Sequence, residues 1–168
     1  MKRLPRFALR LHREEQGQDI LEFVLLLPFI LFLTFVIIDF GIALDRSLVI
    51  KHATREAARY GAVGQDEAGI RQRAIDQSQG VLASATVACP LAPADDACLE
   101  VTWNDGPDAN ASVGDTGDAV AVRVRYRYTF LNPFLSMLPF NSVTLGACAD
   151  SRLEVSPPSA TNAAWDCS

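Results

Sequence analysis

Histidine is nearly missing from this sequence. Of 168 residues only two are histidines, and beyond the first seventeen positions His52 stands alone. No Ser or Cys forms an evident catalytic constellation with it, no Gly-rich phosphate loop occurs, and no segment has the metal-ligand spacing of a metalloenzyme helix. These absences leave nothing that asks for catalysis, so neither enzyme activity nor a cofactor is expected. The four cysteines include no C-x-x-C pair, and a zinc site built from Cys89, Cys98, Cys148 and Cys167 would be unusual. Charge is the third absence. Between Phe23 and Ile38 there is none, and Thr34 is the one conventional polar residue in a run of Leu, Ile, Phe and Val.

That run decides the broad class. Its sixteen residues cover roughly 24 Å as a helix, and the flanking turns, through Phe40 to Leu44, bring it to the ~20 residues a membrane-spanning helix needs. A soluble core helix would show polar positions every third or fourth residue. Pro28 lies in the first third of the span, where membrane helices accept proline with a mild kink. Before Gly17 lie Lys2, Arg3, Arg6, Arg10 and Arg13 against Glu14 and Glu15. This excess of cations places the N-terminus in the cytoplasm and the C-terminal part on the exported side of a single-pass inner-membrane protein. The basic leader has no long apolar region of its own, so it is not a secretory signal peptide cut after its apolar stretch.

All four cysteines follow the span, where an oxidising compartment permits disulfides. Four cysteines allow three pairings. The short Pro- and Asp-containing loop between Cys89 and Cys98 favours that pair, leaving Cys148 with Cys167; free thiols or a metal site are the alternatives. The net charge is −5. Without residues 1–17 it becomes −8, from ten basic and eighteen acidic residues, which argues against a nucleic-acid partner.

The pattern along the chain predicts an α+β protein. A long N-terminal transmembrane helix continues into a periplasmic helix and is followed by a small antiparallel sheet domain. Leu44, Leu48, Ala53, Ala57, Ala58 and Val63 recur at helical steps, with Gly61 and Gly64 expected to end the helix. Asp66 is the expected cap of a second helix, Glu67 to about Ala83, with Ile70, Ala74, Ile75, Val81 and Leu82 as its apolar stripe. Short strands are expected at Thr86–Ala88 and Cys98–Trp103, and a long polar loop at Asn104–Asp118. Ala119–Leu131 is the clearest strand, with Val120, Val122, Val124, Tyr126 and Tyr128 alternating with Arg123, Arg125 and Arg127. Ser142–Val155 is a further candidate. The expected organisation is a basic leader at 1–17, the transmembrane helix at 18–45, extracytoplasmic helices at 46–84, a β domain at 85–155 and a Pro/Ser/Ala-rich tail at 156–168.

The most informative stretch is Gly17-Gln18-Asp19-Ile20-Leu21-Glu22-Phe23. A Gly closes the charged leader, and five residues on a Glu stands at the head of the apolar helix. The segment resembles the cleavage site of type IV prepilins, more narrowly the Flp/Tad prepilins, with Phe23 where Tyr is frequent. The chain as a whole is similar to the TadE-like pseudopilins. The similar stretches are Glu22-Phe23 through Leu27-Pro28, Ile38-Asp39-Phe40-Gly41, Ala53-Thr54-Arg55-Glu56-Ala57-Ala58-Arg59-Tyr60, the Tyr-rich strand, and Val143 to Glu154. The length suits TadE or TadF rather than TadG-like relatives with an added domain.

The resemblance implies a minor pseudopilin of a Tad/Flp pilus machine, cut by a prepilin peptidase between Gly17 and Gln18. Glu22 would then be the fifth mature residue. A carboxylate in an apolar bundle needs a partner, and the new N-terminal ammonium of a neighbouring subunit is the natural one. The implied partners are the prepilin peptidase, other pilins or pseudopilins, the Tad inner-membrane machinery and membrane lipid. Asp39, at the far edge of the span, is either an interfacial acid or a subunit contact. Two other readings stay open: an uncleaved single-span envelope protein whose exported domain binds a ligand or partner, and a type II secretion pseudopilin, which would usually place Phe where Gln18 stands. The stripe Arg123, Arg125 and Arg127 reads as a solvated sheet face balanced by the domain's own carboxylates. The acids Asp105, Asp108, Asp115 and Asp118 lie in a loop that lacks the Gly and the bidentate Glu of a calcium-binding loop.

Overall fold

A computed structural model describes residues 8–87, 89, 95–105, 112–132, 141–160 and 167, with side chains described from Asp19 onward. The elements are α1 (Ala8–Ala62), α2 (Glu67–Gln77), β1 (Ala97–Asn104), β2 (Ala119–Thr129) and β3 (Ser142–Arg152). This is the expected α+β order of a long apolar helix, a short helix and an antiparallel sheet. The chain divides into two compact units, residues 1–40 and 41–168.

In the first unit α1 runs unbroken through Pro28. Its best 18-residue window has a mean hydropathy of 2.8, and none of that window is buried. Leu25 is 78% exposed and Phe29 64%. A helix this apolar and this uncovered is long and apolar enough to cross a membrane, where lipid replaces water around it. The one polar side chain of the run Phe23–Ile38 is satisfied internally, because the Thr34 hydroxyl donates to the Ile30 carbonyl at 2.8 Å. An unsatisfied hydroxyl would be costly in hydrocarbon.

In the second unit the sheet has the order β1-β2-β3 with both pairs antiparallel. Register puts Trp103 opposite Val120, Val101 opposite Val122 and Leu99 opposite Val124. On the other side Val122 faces Ala149, Val124 faces Ala147 and Tyr126 faces Leu145. The period-2 alternation thus gathers one apolar face across three strands. Ile50, Ala57 and Ala58 of α1, Ile70 and Ala74 of α2, Leu82 and Leu153 complete the core on that face.

Small residues let α1 approach closely. Ala53 and Ala57 are fully buried, and a Cβ added at Gly61 would meet Ile70 Cδ1 at 2.9 Å and the two Val120 methyls at 3.1 and 3.2 Å. Gly61 is therefore a packing residue within α1, and the helix stops at Ala62. Gly64, at φ +80, supplies the left-handed residue just past the end. The freed carbonyls are taken up in place: Gly64 N–H donates to Gly61 at 3.0 Å, and Glu154 N–H donates to Ala62 at 2.7 Å.

Three expected elements differ most in extent, and the strand expected over Ala119–Leu131 also stops early, at Thr129. The second helix ends at Gln77 rather than about Ala83. Buried Ser78 donates from its hydroxyl and its N–H to the Ile75 carbonyl, at 2.7 and 3.1 Å, and its Oγ accepts from Leu82 N–H at 3.1 Å. Gln79 and Gly80 then take positive φ and lead into turns. Leu82 nevertheless reaches the core and Val81 packs against it. The expected strand at Thr86–Ala88 reduces to one parallel bridge between Thr86 and Cys98, with Ala88 outside the described residues. The strand expected over Ser142–Val155 stops at Arg152, where Leu153 N–H turns to the Asp118 carbonyl at 2.7 Å. Asp66 caps α2 as expected, its carboxylate accepting from Gly69 N–H at 3.1 Å.

Candidate assembly helix and processing site

Gly17 and Gln18 lie in α1, on backbone that is helical on both sides of the bond between them. Glycine costs a helix about 1 kcal/mol relative to alanine, so this is a point where the helix opens most easily. Glu22 is exposed on the same helix, one turn beyond Gln18. Residues four apart share a helix face, so the α-nitrogen of Gln18 and the Glu22 carboxylate lie on one side of α1. From Phe23, 60% exposed, the apolar surface begins. A single carboxylate at the head of a bare apolar helix is stable in a membrane only with a cationic or donor partner.

Asp39 is 3% exposed and engaged in a polar or electrostatic interaction within the chain. The next similar stretch, Ala53 to Tyr60, divides cleanly between its faces. Ala53, Thr54, Ala57 and Ala58 are buried, and the Thr54 hydroxyl donates to the Ile50 carbonyl at 2.7 Å. Arg55 and Arg59 are exposed, along with Lys51 and His52 on the preceding turn. Glu56 holds Arg73 of α2 at 3.8 Å, and the Arg73 guanidinium lies 5.9 Å from the Tyr60 ring centre. A polar cleft of about 530 Å³ opens beside these groups, with Arg59, Arg73, Arg152, Glu56 and Glu154 on its walls. Sequence reading could not find this cleft, because its walls come from α1, α2 and the end of β3.

Cys89 bonds to Cys98 and Cys148 to Cys167, the pairing favoured from the loop lengths. The first ties the segment after Thr86 to β1, and the second ties the C-terminal residues to the middle of β3. On the polar face of the sheet Arg125 is exposed, Arg123 and Arg127 are half-buried, and Arg123 stands opposite Glu100 in register. Among the loop acids, Asp118 is buried and accepts from the N–H groups of Gly114 at 2.8 Å and Asp115 at 2.9 Å. That is the role of a turn cap. Asp105 is exposed, and Asp108 lies outside the described residues. Among the described residues no group of three or more His, Cys, Asp or Glu could hold a metal ion.

One further contact was invisible in the sequence. Arg71 of α2 donates to the Leu99 carbonyl of β1, 28 residues away. Burial pushes its guanidinium below the ordinary value, and Glu67 at 3.7 Å pulls it partly back.

No curated protein and no solved structure matches this chain. A family match covers α1 from the glycine at the candidate cut to three residues before the helix end. Residues 17–59 match the family described as TadE-like protein, and over that N-terminal stretch the chain is similar to it.

Proposed function

We propose that this protein is a minor pseudopilin of a Tad/Flp pilus machine, cut by a prepilin peptidase after Gly17 and assembled through its N-terminal helix. The observation that carries the reading is a helix whose 18-residue apolar window is wholly uncovered, headed by Glu22 five residues after Gly17, inside the stretch that matches the TadE-like family. Removal of residues 1–17 takes away five cations and two anions, and with them the charge that holds the leader at the cytoplasmic face. The new ammonium on Gln18 and the carboxylate of Glu22 then form the polar head of an otherwise apolar rod. Two such rods side by side in lipid satisfy each other's head groups, ammonium to carboxylate, more cheaply than either does alone.

The role is structural. The helix brings the subunit into register with other pilins or pseudopilins and the Tad inner-membrane machinery, whereas Asp39 is buried within its own chain and is not available for that contact. The exported domain, closed by two disulfides, is carried outside the inner membrane and initiates, caps or adapts the filament. In cells that assemble the pilus, Glu22→Ala is expected to leave processing after Gly17 intact and to lower recovery of the chain with sheared pilus or pseudopilus complexes. Undiminished recovery of that variant would contradict assembly through the helix head.

A further inference from the structure

The exported part of α1 carries a stripe of cations that form no ion pair within their own domain, although Arg59 shares a cleft with Glu56 and Glu154. Leu44, Leu48, Lys51, His52, Arg55 and Arg59 fall at helical steps on the side of α1 opposite Ala53 and Ala57, and all six are exposed. Lys51, Arg55 and Arg59 hold no ion pair among the described residues. Three permanent cations along nine residues of one helix face repel each other, and the helix gains nothing from them in isolation. Lipid headgroups are a poor match. At the standard rise Lys51, Arg55 and Arg59 lie about 10, 16 and 22 Å beyond Leu44, where the apolar run ends. The headgroup layer is only about 5–8 Å deep on each side.

The complementary charge is present on the rest of the same chain. From Ala62 onward there are thirteen acidic and six basic residues, a balance of −7, whereas Gly41–Gly61 has four basic and two acidic, a balance of +2. Exposed Asp105, Asp150 and Glu154 sit at one end of the sheet, beside the ends of β1 and β3, with exposed Arg152 between the last two, so the end carries three acids against one cation; the three acids hold no ion pair among the described residues.

We infer that the stripe Lys51, Arg55 and Arg59 docks the acidic sheet end of a second copy of this chain, making a contact outside the membrane in addition to that of the apolar helices. It rests on the assembly reading above in that two anchored copies must meet side by side. The two patches differ, so the contact is heterologous, and its repetition extends a row of subunits unless the rotation closes a ring.

The test is sedimentation of the full-length chain in a zwitterionic detergent. Wild type is expected to associate at low ionic strength and to dissociate as NaCl rises to about 0.5 M, where the screening length falls to roughly 4 Å. The variant Lys51→Glu/Arg55→Glu/Arg59→Glu is expected to self-associate at least about tenfold more weakly, three exposed pairs having been lost. Mixing it with Asp105→Lys/Asp150→Lys/Glu154→Lys is expected to restore a mixed complex. Circular dichroism and both disulfides, read by intact mass, check that the variants are folded. Wild-type association that salt leaves unchanged, or a triple variant that associates like wild type, overturns the inference. So do folded charge-swapped variants that fail to pair. Association that persists in the stripe variant but is lost in Glu22→Ala overturns it and leaves assembly through the helix standing. Salt-sensitive association in a chain that a prepilin peptidase never cuts upholds it and removes the pseudopilin reading instead.

Discussion

Replacing Gly61 by valine tests how α1 meets the sheet. At Gly61 the added Cβ alone lies 2.9 Å from Ile70 Cδ1 and 3.1 and 3.2 Å from the two Val120 methyls. Ile70 and Val120 are both fully buried. The terminal methyl of Ile70 can rotate away, but Val120 is β-branched and held in the middle strand, so it gives way only with the backbone. Valine then adds two further methyls in the same direction. Overpacking of this kind costs about 1–3 kcal/mol. Loss of a helix glycine returns well under 1 kcal/mol, because valine is a poor helix former and the position is one residue from the end. The expected net loss is about 2 kcal/mol. Gly41→Ala is the control: it is also helical, nothing lies within 4 Å of its added Cβ, and it is expected to be neutral or stabilising by up to about 1 kcal/mol. Denaturant unfolding of the full chain in detergent, followed by the fluorescence of buried Trp103, reads both. A Gly61→Val protein as stable as wild type would mean that α1 does not pack on β2 at this distance.

Gly64→Ala should lose about 1–2 kcal/mol by the same assay, since φ is +80 and its Cβ would stand 3.0 Å from the Val155 carbonyl. Asp118→Ala removes a buried acceptor shared by two N–H groups and should cost about 2 kcal/mol, without changing any metal dependence of the melt. Opening the Cys148–Cys167 bridge by paired alanine substitution should cost about 3 kcal/mol on the chain-entropy account. The Cys89–Cys98 bridge should cost somewhat less, because its sequence separation is 9 rather than 19. Peptide mapping of the unreduced protein should return those two pairs and no others.

The parts of the fold that rest on one segment's own pattern were legible in the sequence. The uncharged run from Phe23 to Ile38 announces a helix long and apolar enough to cross a membrane, and the strict alternation from Val120 to Tyr128 announces a strand with one covered face. Asp66 announces its helix start because a cap acts within three residues. The elements that depend on distant partners were not legible. The turn at Ser78 depends on a buried hydroxyl that ties Ile75 to Leu82, while the apolar spacing of Val81 and Leu82 imitates more helix. Thr86 joins β1 by a single parallel bridge to Cys98, a partner that its local pattern does not announce. Gly61 looks like a helix terminator until Val120 is known to stand against it. At the candidate site, the Gly17–Glu22 spacing is visible because it lies within one turn and a half of helix. The cleft between Arg59, Arg73 and Arg152 needs three elements to come together. The basic stripe is hidden for another reason: Lys51, Arg55 and Arg59 look like ordinary solvated charges until their unpaired state is seen.

The central claim is that the bond between Gly17 and Gln18 is a processing site, and the N-terminus of the chain reports on it directly. Expressed with a competent prepilin peptidase, the protein should begin at Gln18 and lose the mass of residues 1–17. Without the peptidase, or with a bulky residue in place of Gly17, it should retain them. A chain that keeps its full leader beside an active peptidase would contradict the pseudopilin account and leave a simple membrane anchor with an exported domain.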